Sequence, residues 1–213
     1  MIRKLAAEAI GTGMLMATAT GCAAMTAALT ADGGLALAIC AMCAGLALFV
    51  TITIFTPVSG GHLNPAVTLA FLLRHEISGR DALVYGLAQT VGAIGGAVLA
   101  HAMFAQPLLQ LSTLVRDTPQ LWLSEAVATC GLIVVIAGGI AARGPVPALV
   151  GAFVATGYFF TASMAFTNPA MTVARSLTGT AAGLRPEDLL PYLAAQMLGA
   201  LVGAVLGRGL FGK

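Results

Sequence analysis

The sequence HLNPAVT at residues 62–68 returns later in the chain as FTNPAMT at residues 166–172. Both copies contain Asn-Pro-Ala, then one variable residue, then threonine. Asparagine is a favoured N-cap, and proline suits the first helical position because the N–H group there has no partner in any case. Each copy therefore predicts a helix that begins at its proline, Pro65 or Pro169.

The sequence around these motifs is too apolar for a water-soluble domain. Apolar residues make up 59% and charged residues only 8% of the 213 residues, whereas a soluble domain carries roughly 25% charged residues. The mean hydropathy of +0.96 agrees with this contrast. We therefore predict an integral membrane protein. The net charge of +2 gives no indication of a nucleic-acid partner. The apolar stretch after Arg3 and Lys4 lacks a signal-peptide cleavage context, which favours a first spanning helix.

Long apolar segments alternate with two stretches of mixed character. All but the fifth segment reach the roughly 20 residues that a helix needs to cross the hydrocarbon core. The mixed stretches, 56–80 and 162–186, are too polar to span and too apolar for ordinary loops. Each is predicted to enter the membrane and return as a short half-helix. The six segments lie at about 5–29, 34–55, 82–105, 120–140, 146–161 and 188–208.

Further matches show that the chain contains an internal repeat. Glu8-Ala9 matches Glu125-Ala126, and spans three and six share Tyr, Gln, Gly and Gly at equal spacing within residues 85–96 and 192–203. Each half then holds three spans, an odd number, so the two halves must lie upside down relative to each other.

This repeat predicts the fold class. We expect an all-α membrane protein with six transmembrane helices and two re-entrant half-helices in an inverted repeat. A single channel domain would cover residues 1–213, with the first inverted repeat at 1–105 and the second at 119–213.

The distribution of Lys and Arg predicts the orientation in the membrane. Six spans put both termini on one side, and that side carries most of the basic residues. The positive-inside rule then places both termini in the cytoplasm. The cytoplasmic set is Arg3, Lys4, Arg74, Arg80, Arg143, Arg208 and Lys213, and the opposite set is Arg116, Arg175 and Arg185.

The paired motifs also predict a chemistry. Inversion brings the N-termini of the two half-helices together near the membrane midplane, so that two positive dipole ends face one point. The amides of Asn64 and Asn168 can donate hydrogen bonds into a lumen there. A cation or a proton would meet an electrostatic barrier, whereas a neutral hydroxyl-bearing solute would find donors for its oxygen.

The stretch SGGHLNPAVT at residues 59–68 resembles the first signature of the major intrinsic protein family, the aquaporins and aquaglyceroporins. The resemblance covers essentially the whole chain. It implies a homotetramer with one pore in each subunit and passive conduction of water or small neutral solutes through a lipid bilayer, without a cofactor. It also assigns a central constriction to Asn64, Pro65, Ala66, Asn168, Pro169 and Ala170.

The same resemblance suggests residues that support the loops. Glu8 and Glu125 match buried glutamates of the family whose carboxylates accept hydrogen bonds from the re-entrant loops. Such a role agrees with the cost of an unpaired charge at membrane depth. His62 matches a position that braces the first loop. The sequence leaves two alternatives open, namely interfacial glutamates that face water and a histidine that is merely hydrogen-bonded within its loop.

The chain departs from the family after the second Asn-Pro-Ala. Most members carry arginine there, and this chain carries Met171, with Arg175 one helical turn, about 5.4 Å, towards the outer mouth. The pattern NPAMTVAR resembles a bacterial subgroup often found beside arsenic-resistance genes. Motif spacing assigns the other filter positions to Ala44, Ala165 and either Tyr158 or Thr156, with Tyr158 preferred.

This set of residues predicts a wider and less polar filter than that of a strict water channel. The alternative is that Arg175 swings down to restore the filter and water remains the main permeant. The sequence leaves the solute open among water, glycerol, urea and undissociated metalloid acids such as arsenous acid.

Other functional classes have less support in the sequence. A secondary transporter needs a coupling-ion site or proton relay within the membrane, and only Glu8 and Glu125 are candidates for it. No nucleophile–base pair indicates an enzyme, and the intact paired motif argues against a non-conducting junction protein. Cys40 and Cys43 lack a second pair at ligand spacing, so the cysteines are interpreted as packing residues rather than metal ligands.

Overall fold

A computed structural model describes residues 1–212, which form α-helices and connecting loops without any β-strand. Lys213, counted above among the cytoplasmic basic residues, lies outside the described part. The helices run in order as α1 (Ile2–Leu29), α2 (Gly33–Ser59), α3 (Pro65–Leu73), α4 (Gly79–Met103), α5 (Pro119–Ala141), α6 (Val146–Phe160), α7 (Pro169–Arg175) and α8 (Leu189–Phe211), with a short 3-10 turn at Pro186–Asp188 before α8.

Five of these helices are long and apolar enough to cross a membrane. The remaining spanning helix is α6, the fifth span in chain order. It has only 15 residues, in agreement with the short fifth apolar segment. Helix α2 continues to Ser59 rather than ending near residue 55. It passes through Pro57 in its last turn and is followed by the capping residue Gly60, whose φ of 94° lies in the left-handed region that glycine tolerates.

The two half-helices α3 and α7 begin at the prolines, as the motifs predict. Asn64 caps α3 because its Oδ1 accepts the Ala66 N–H at 2.8 Å. Asn168 caps α7, where its Oδ1 accepts the N–H groups of Ala170 and Met171 at 3.1 and 3.3 Å. In each case a side-chain oxygen satisfies donors that a helix start leaves without partners.

Glycines make the same helix crossing in both halves. In the first half α4 packs on α1, and a Cβ at Gly92 or Gly96 would collide with the carbonyl oxygen of Ala9 or Gly13. In the second half α8 packs on α5 through Gly199 and Gly203, which face the Ala126 and Cys130 carbonyls in the same way. Small residues of this kind let helix backbones approach closely inside a membrane.

A third close crossing joins one half to the other. Helices α2 and α6 meet at Gly45 and Gly151, where a Cβ on Gly45 would lie 2.7 Å from the Gly151 carbonyl oxygen. Helix α2 belongs to the first half and α6 to the second, so this crossing places helices of both halves around one cavity, which contains the candidate site.

The glycine crossings lead to a prediction with an adjacent control. Gly96→Ala should lower the free energy of unfolding by about 1–3 kcal/mol, because the added methyl group overpacks a backbone contact with α1. Gly95→Ala should be neutral, since a Cβ at Gly95 meets no atom within 4 Å. Thermal unfolding of the two purified variants in detergent measures the difference. Equal melting temperatures would contradict the proposed crossing.

Candidate functional site

The buried Glu8 carboxylate holds the first re-entrant loop. Its Oε1 accepts hydrogen bonds from the Ser59 hydroxyl at 2.6 Å and the His62 N–H at 3.1 Å. Its Oε2 accepts from the Leu63 N–H at 2.6 Å and the Gln89 amide at 2.7 Å. Four donors therefore surround a carboxylate that is 0% exposed. This compensation is what a charge needs away from water.

Glu125 holds the second re-entrant loop in the same way. Its Oε1 accepts the Phe166 N–H at 2.8 Å, and its Oε2 accepts the Thr167 N–H at 2.9 Å and the Gln196 amide at 2.6 Å. In both halves the carboxylate therefore binds the two backbone N–H groups that immediately precede the Asn-Pro-Ala asparagine.

The residue before each asparagine has an unusual backbone conformation. Leu63 and Thr167 have φ of 50° and 51°. The left-handed region is uncommon for non-glycine residues and especially unfavourable for a β-branched one such as Thr167. The hydrogen bonds to the carboxylates fix both residues in this conformation, which turns their carbonyl oxygens towards the opposite half.

The asparagines then connect the two halves. The Nδ2 of Asn64 donates to the Thr167 carbonyl at 2.8 Å, and the Nδ2 of Asn168 donates to the Leu63 carbonyl at 2.8 Å. An amide nitrogen carries two hydrogens, so each asparagine keeps a second N–H for another acceptor. Both asparagines line the central cavity.

The central cavity has a volume of about 580 Å³ and runs past both asparagines. Of the six predicted constriction residues, two line the cavity and four do not. Asn64 and Asn168 line the cavity, whereas Ala66 and Ala170 are buried behind them and Pro65 and Pro169 form the first turns of the half-helices. His62 also lines the cavity. Its Nδ1 lies 3.2 Å from the Thr68 hydroxyl, and its ring stacks on Phe71 at a centroid distance of 4.4 Å.

The predicted filter residues lie on the wall of the same cavity. They are Ala44, Tyr158, Ala165, Met171 and Arg175. Of the two candidates in α6, only Tyr158 lines the cavity. Thr156 is exposed on the outer surface of α6, where its hydroxyl donates to the Phe153 carbonyl at 2.8 Å.

Arg175 is buried beside this wall rather than extended into solvent. Its Nη1 donates to the Ala182 carbonyl at 2.7 Å, and its Cζ lies 3.7 Å from the centroid of the Phe166 ring. Its Nε has no hydrogen-bond partner among residues 1–212. The cavity therefore has an apolar side chain, Met171, next to a fixed guanidinium, Arg175.

The sequence interpretation missed several residues of the site. Gln89 and Gln196 reach the two glutamates, and the signal was present, since a polar residue recurs at one position in two apolar spans. Phe166, which contacts Arg175, gave no comparable signal. Arg116 also contacts the Phe166 ring, at 5.2 Å from its centroid. Arg116 was counted only as a charge outside the spans.

A sequence model of one family covers most of the chain. The model described as "Major intrinsic protein" matches residues 1–143. The chain belongs to the major intrinsic protein family. It is 46% identical to "Aquaglyceroporin AqpS" of Rhizobium meliloti over 99% of this chain and 91% of that protein. It is 30% identical to "Propanediol uptake facilitator PduF" of Citrobacter freundii over 97% of this chain and 91% of that protein.

A solved structure has the same fold. The X-ray structure of the aquaglyceroporin from Plasmodium falciparum matches with a TM-score of 0.75 and 20% identity, over 100% of this chain and 96% of that chain. The predicted all-α aquaporin-like fold and the family resemblance are thereby confirmed. Members of this family are membrane channels for water, glycerol and small solutes, not enzymes, and this chain is such a channel.

The carboxylate contacts lead to a second prediction. Glu125→Leu removes the acceptor of the Phe166 and Thr167 N–H groups, and each buried donor left unpaired should cost about 1–3 kcal/mol. We expect a lower melting temperature in detergent and loss of solute flux in proteoliposomes.

The exposed Glu187 provides the matched control. Glu187→Leu removes the same charge without removing an acceptor from a re-entrant loop, so it should leave stability and flux unchanged. If Glu125→Leu behaved like Glu187→Leu, Glu125 would not support the loop.

Proposed function

We propose that this channel has a wide outer filter and conducts solutes of glycerol size as well as water, including undissociated metalloid acids such as arsenous acid. One observation carries the proposal. Met171 stands where most members of the family carry arginine, and it lines the cavity together with Ala44 and Ala165.

Size and chemistry both support this reading. Alanine side chains leave space at two filter positions, and methionine is flexible and apolar, so it neither fixes the width of the lumen nor competes for hydrogen bonds. Tyr158 and Arg175 supply polar groups on the wall of the same cavity. A small polyhydroxy solute would therefore pass an apolar surface on one side and fixed donors on the other.

Exclusion of charge is assigned to the central constriction. The N-termini of α3 and α7 face each other across Asn64 and Asn168, and helix N-termini carry partial positive charge. A cation entering this point would lose hydration without gaining an acceptor, while a neutral solute would gain the free amide N–H groups. We infer that the pore excludes ions and protons.

The names of two relatives agree with a pore of this width. One is called an aquaglyceroporin and the other a propanediol uptake facilitator. Arsenous acid is uncharged when undissociated and, like glycerol, carries three hydroxyl groups. The same combination of space and donors would therefore suit both solutes.

We further propose the setting in which the pore works. The excess of basic residues on one side favours both termini in the cytoplasm, and the similarity to a Rhizobium meliloti protein favours a bacterial inner membrane. The chain would form a homotetramer with one pore in each subunit, each built from an inverted repeat over 1–105 and 119–213. The lipid bilayer and neighbouring subunits would cover the exposed apolar side chains of the spanning helices.

A strict water channel is the competing function, because the Arg175 guanidinium lies on the same cavity as Met171. The experiment that separates the two compares glycerol and water permeability by stopped-flow light scattering in proteoliposomes. We expect the unmodified protein to conduct both. Met171→Arg should lower the ratio of glycerol to water permeability by about tenfold, since a guanidinium narrows the lumen and binds the solute oxygens.

Met171→Leu is the matched control, because it changes the side chain without adding charge or hydrogen-bond donors. It should keep the ratio of the unmodified protein. Water flux without glycerol flux in the unmodified protein would contradict the proposal, and so would an unchanged ratio in Met171→Arg.

A further inference from the structure

A second arginine, Arg116, extends from residues 104–118, the segment between α4 and α5, to Phe166, whose side chain lines the cavity. Its Nε donates to the Gly183 carbonyl at 2.9 Å, and its Nη2 donates to the Ala181 carbonyl at 3.1 Å. Its backbone N–H donates to the Asp188 carboxylate at 2.6 Å. The segment between the halves is thus fastened to the loop that follows α7.

Arg116 and Arg175 hold the same structural elements. The Ala182 carbonyl that binds Arg175 lies between the two carbonyls that bind Arg116. The Phe166 ring contacts both guanidiniums, with its centroid 3.7 Å from the Cζ of Arg175 and 5.2 Å from that of Arg116. Arg175 therefore binds a carbonyl that is flanked by the two carbonyls bound by Arg116, and both arginines contact the same ring.

Arg116 and Arg175 carry like charges and contact the same ring, so groups that bind both guanidiniums are needed to hold them there. Burial and then the nearby charge of Arg175 lower the pKa of the Arg116 guanidinium. Two like charges at close range repel each other, and the three carbonyl oxygens with the face of one aromatic ring compensate for this repulsion. If residues 181–183 moved, Arg175 would lose the Ala182 carbonyl as its acceptor, and its repulsion by Arg116 would no longer be compensated.

A buried carboxylate anchors the segment to α8. Asp188 is 3% exposed, and its Oδ1 accepts from the Arg185 Nε at 3.0 Å while its Oδ2 accepts from the Arg116 backbone. The backbone of Arg116 is therefore bound to the turn that precedes α8, independently of the contacts that the Arg116 side chain makes.

We propose that Arg116 is a specificity-determining positioning residue of this channel, which fixes the Arg175 guanidinium at the rim of the filter through the 181–183 carbonyls and Phe166. The proposal rests on the proposed function, because it takes Arg175 as a donor to the permeating solute. The planar guanidinium of Arg116 bridges two carbonyls while it lies over a ring, which the single ammonium group of lysine cannot reproduce.

The test measures the ratio of glycerol to water permeability for the purified full chain in proteoliposomes. Arg116→Gln should change this ratio by about threefold, the size expected when one ordinary hydrogen bond to the solute is lost. Arg116→Lys, which keeps the charge, should show the same change and not restore the ratio. Arg80→Gln is the matched control, because Arg80 is exposed at the start of α4, so the substitution removes the same charge without touching Asp188, Phe166 or the 181–183 carbonyls. It should keep the original ratio.

A double variant tests whether Arg116 acts through Arg175. In an Arg175→Met background, Arg116→Gln should leave the ratio where Arg175→Met alone puts it. The proposal would be overturned by an unchanged ratio in Arg116→Gln, by full recovery in Arg116→Lys, or by an equal effect of Arg116→Gln with and without Arg175. If Arg116→Gln does not fold, the comparison of Arg116→Lys with the unmodified protein decides.

These outcomes are separate from failure of the proposed function. Glycerol flux through the unmodified protein tests the wide filter, whereas the change in ratio caused by the Arg116 variants tests the positioning role.

Discussion

In each half of this channel a buried carboxylate accepts the two backbone N–H groups that precede an Asn-Pro-Ala turn, Glu8 for the first loop and Glu125 for the second. The hydrocarbon core of the bilayer holds no water, so irregular backbone that is buried at this depth must find its hydrogen bonds within the protein. The carboxylates supply those acceptors, and in return the loops and the two glutamines compensate the buried charges. The half-helices, the asparagine contacts and the path of the cavity all depend on this exchange.

The carboxylates determine the chemistry of the pore indirectly. They fix Leu63 and Thr167 in a left-handed conformation, and the carbonyls of these residues then accept the amides of Asn168 and Asn64 from the opposite half. This reciprocal contact holds the two half-helix N-termini against each other. The two glutamates do not line the cavity themselves, and they act on it only through the loop N–H groups that they accept.

The sequence predicted the fold and the half-helices because their determinants are local and repeated. Asparagine and proline specify a helix start wherever they occur in this order, and the recurrence of Glu, Gln and Gly at matched positions reported the inverted repeat. The position of Tyr158 could not be separated from that of Thr156, because the length of a bent linker does not reveal which face of α6 continues along the cavity. The contacts of Arg116 could not be predicted from the sequence for a related reason. Residues 104–118 form no helix or strand, and the carbonyls that Arg116 contacts lie 65 and 67 residues further along the chain.

The central claim is a passive pore that admits neutral solutes and rejects charge. The most direct measurement loads proteoliposomes with a pH-sensitive dye and records both shrinkage and reswelling in a glycerol gradient and the internal pH under an imposed proton gradient. The account predicts rapid glycerol equilibration that the proton gradient does not alter, with proton entry no faster than in protein-free liposomes. Proton entry that accompanies glycerol flux, or glycerol uptake that depends on the proton gradient, would contradict it.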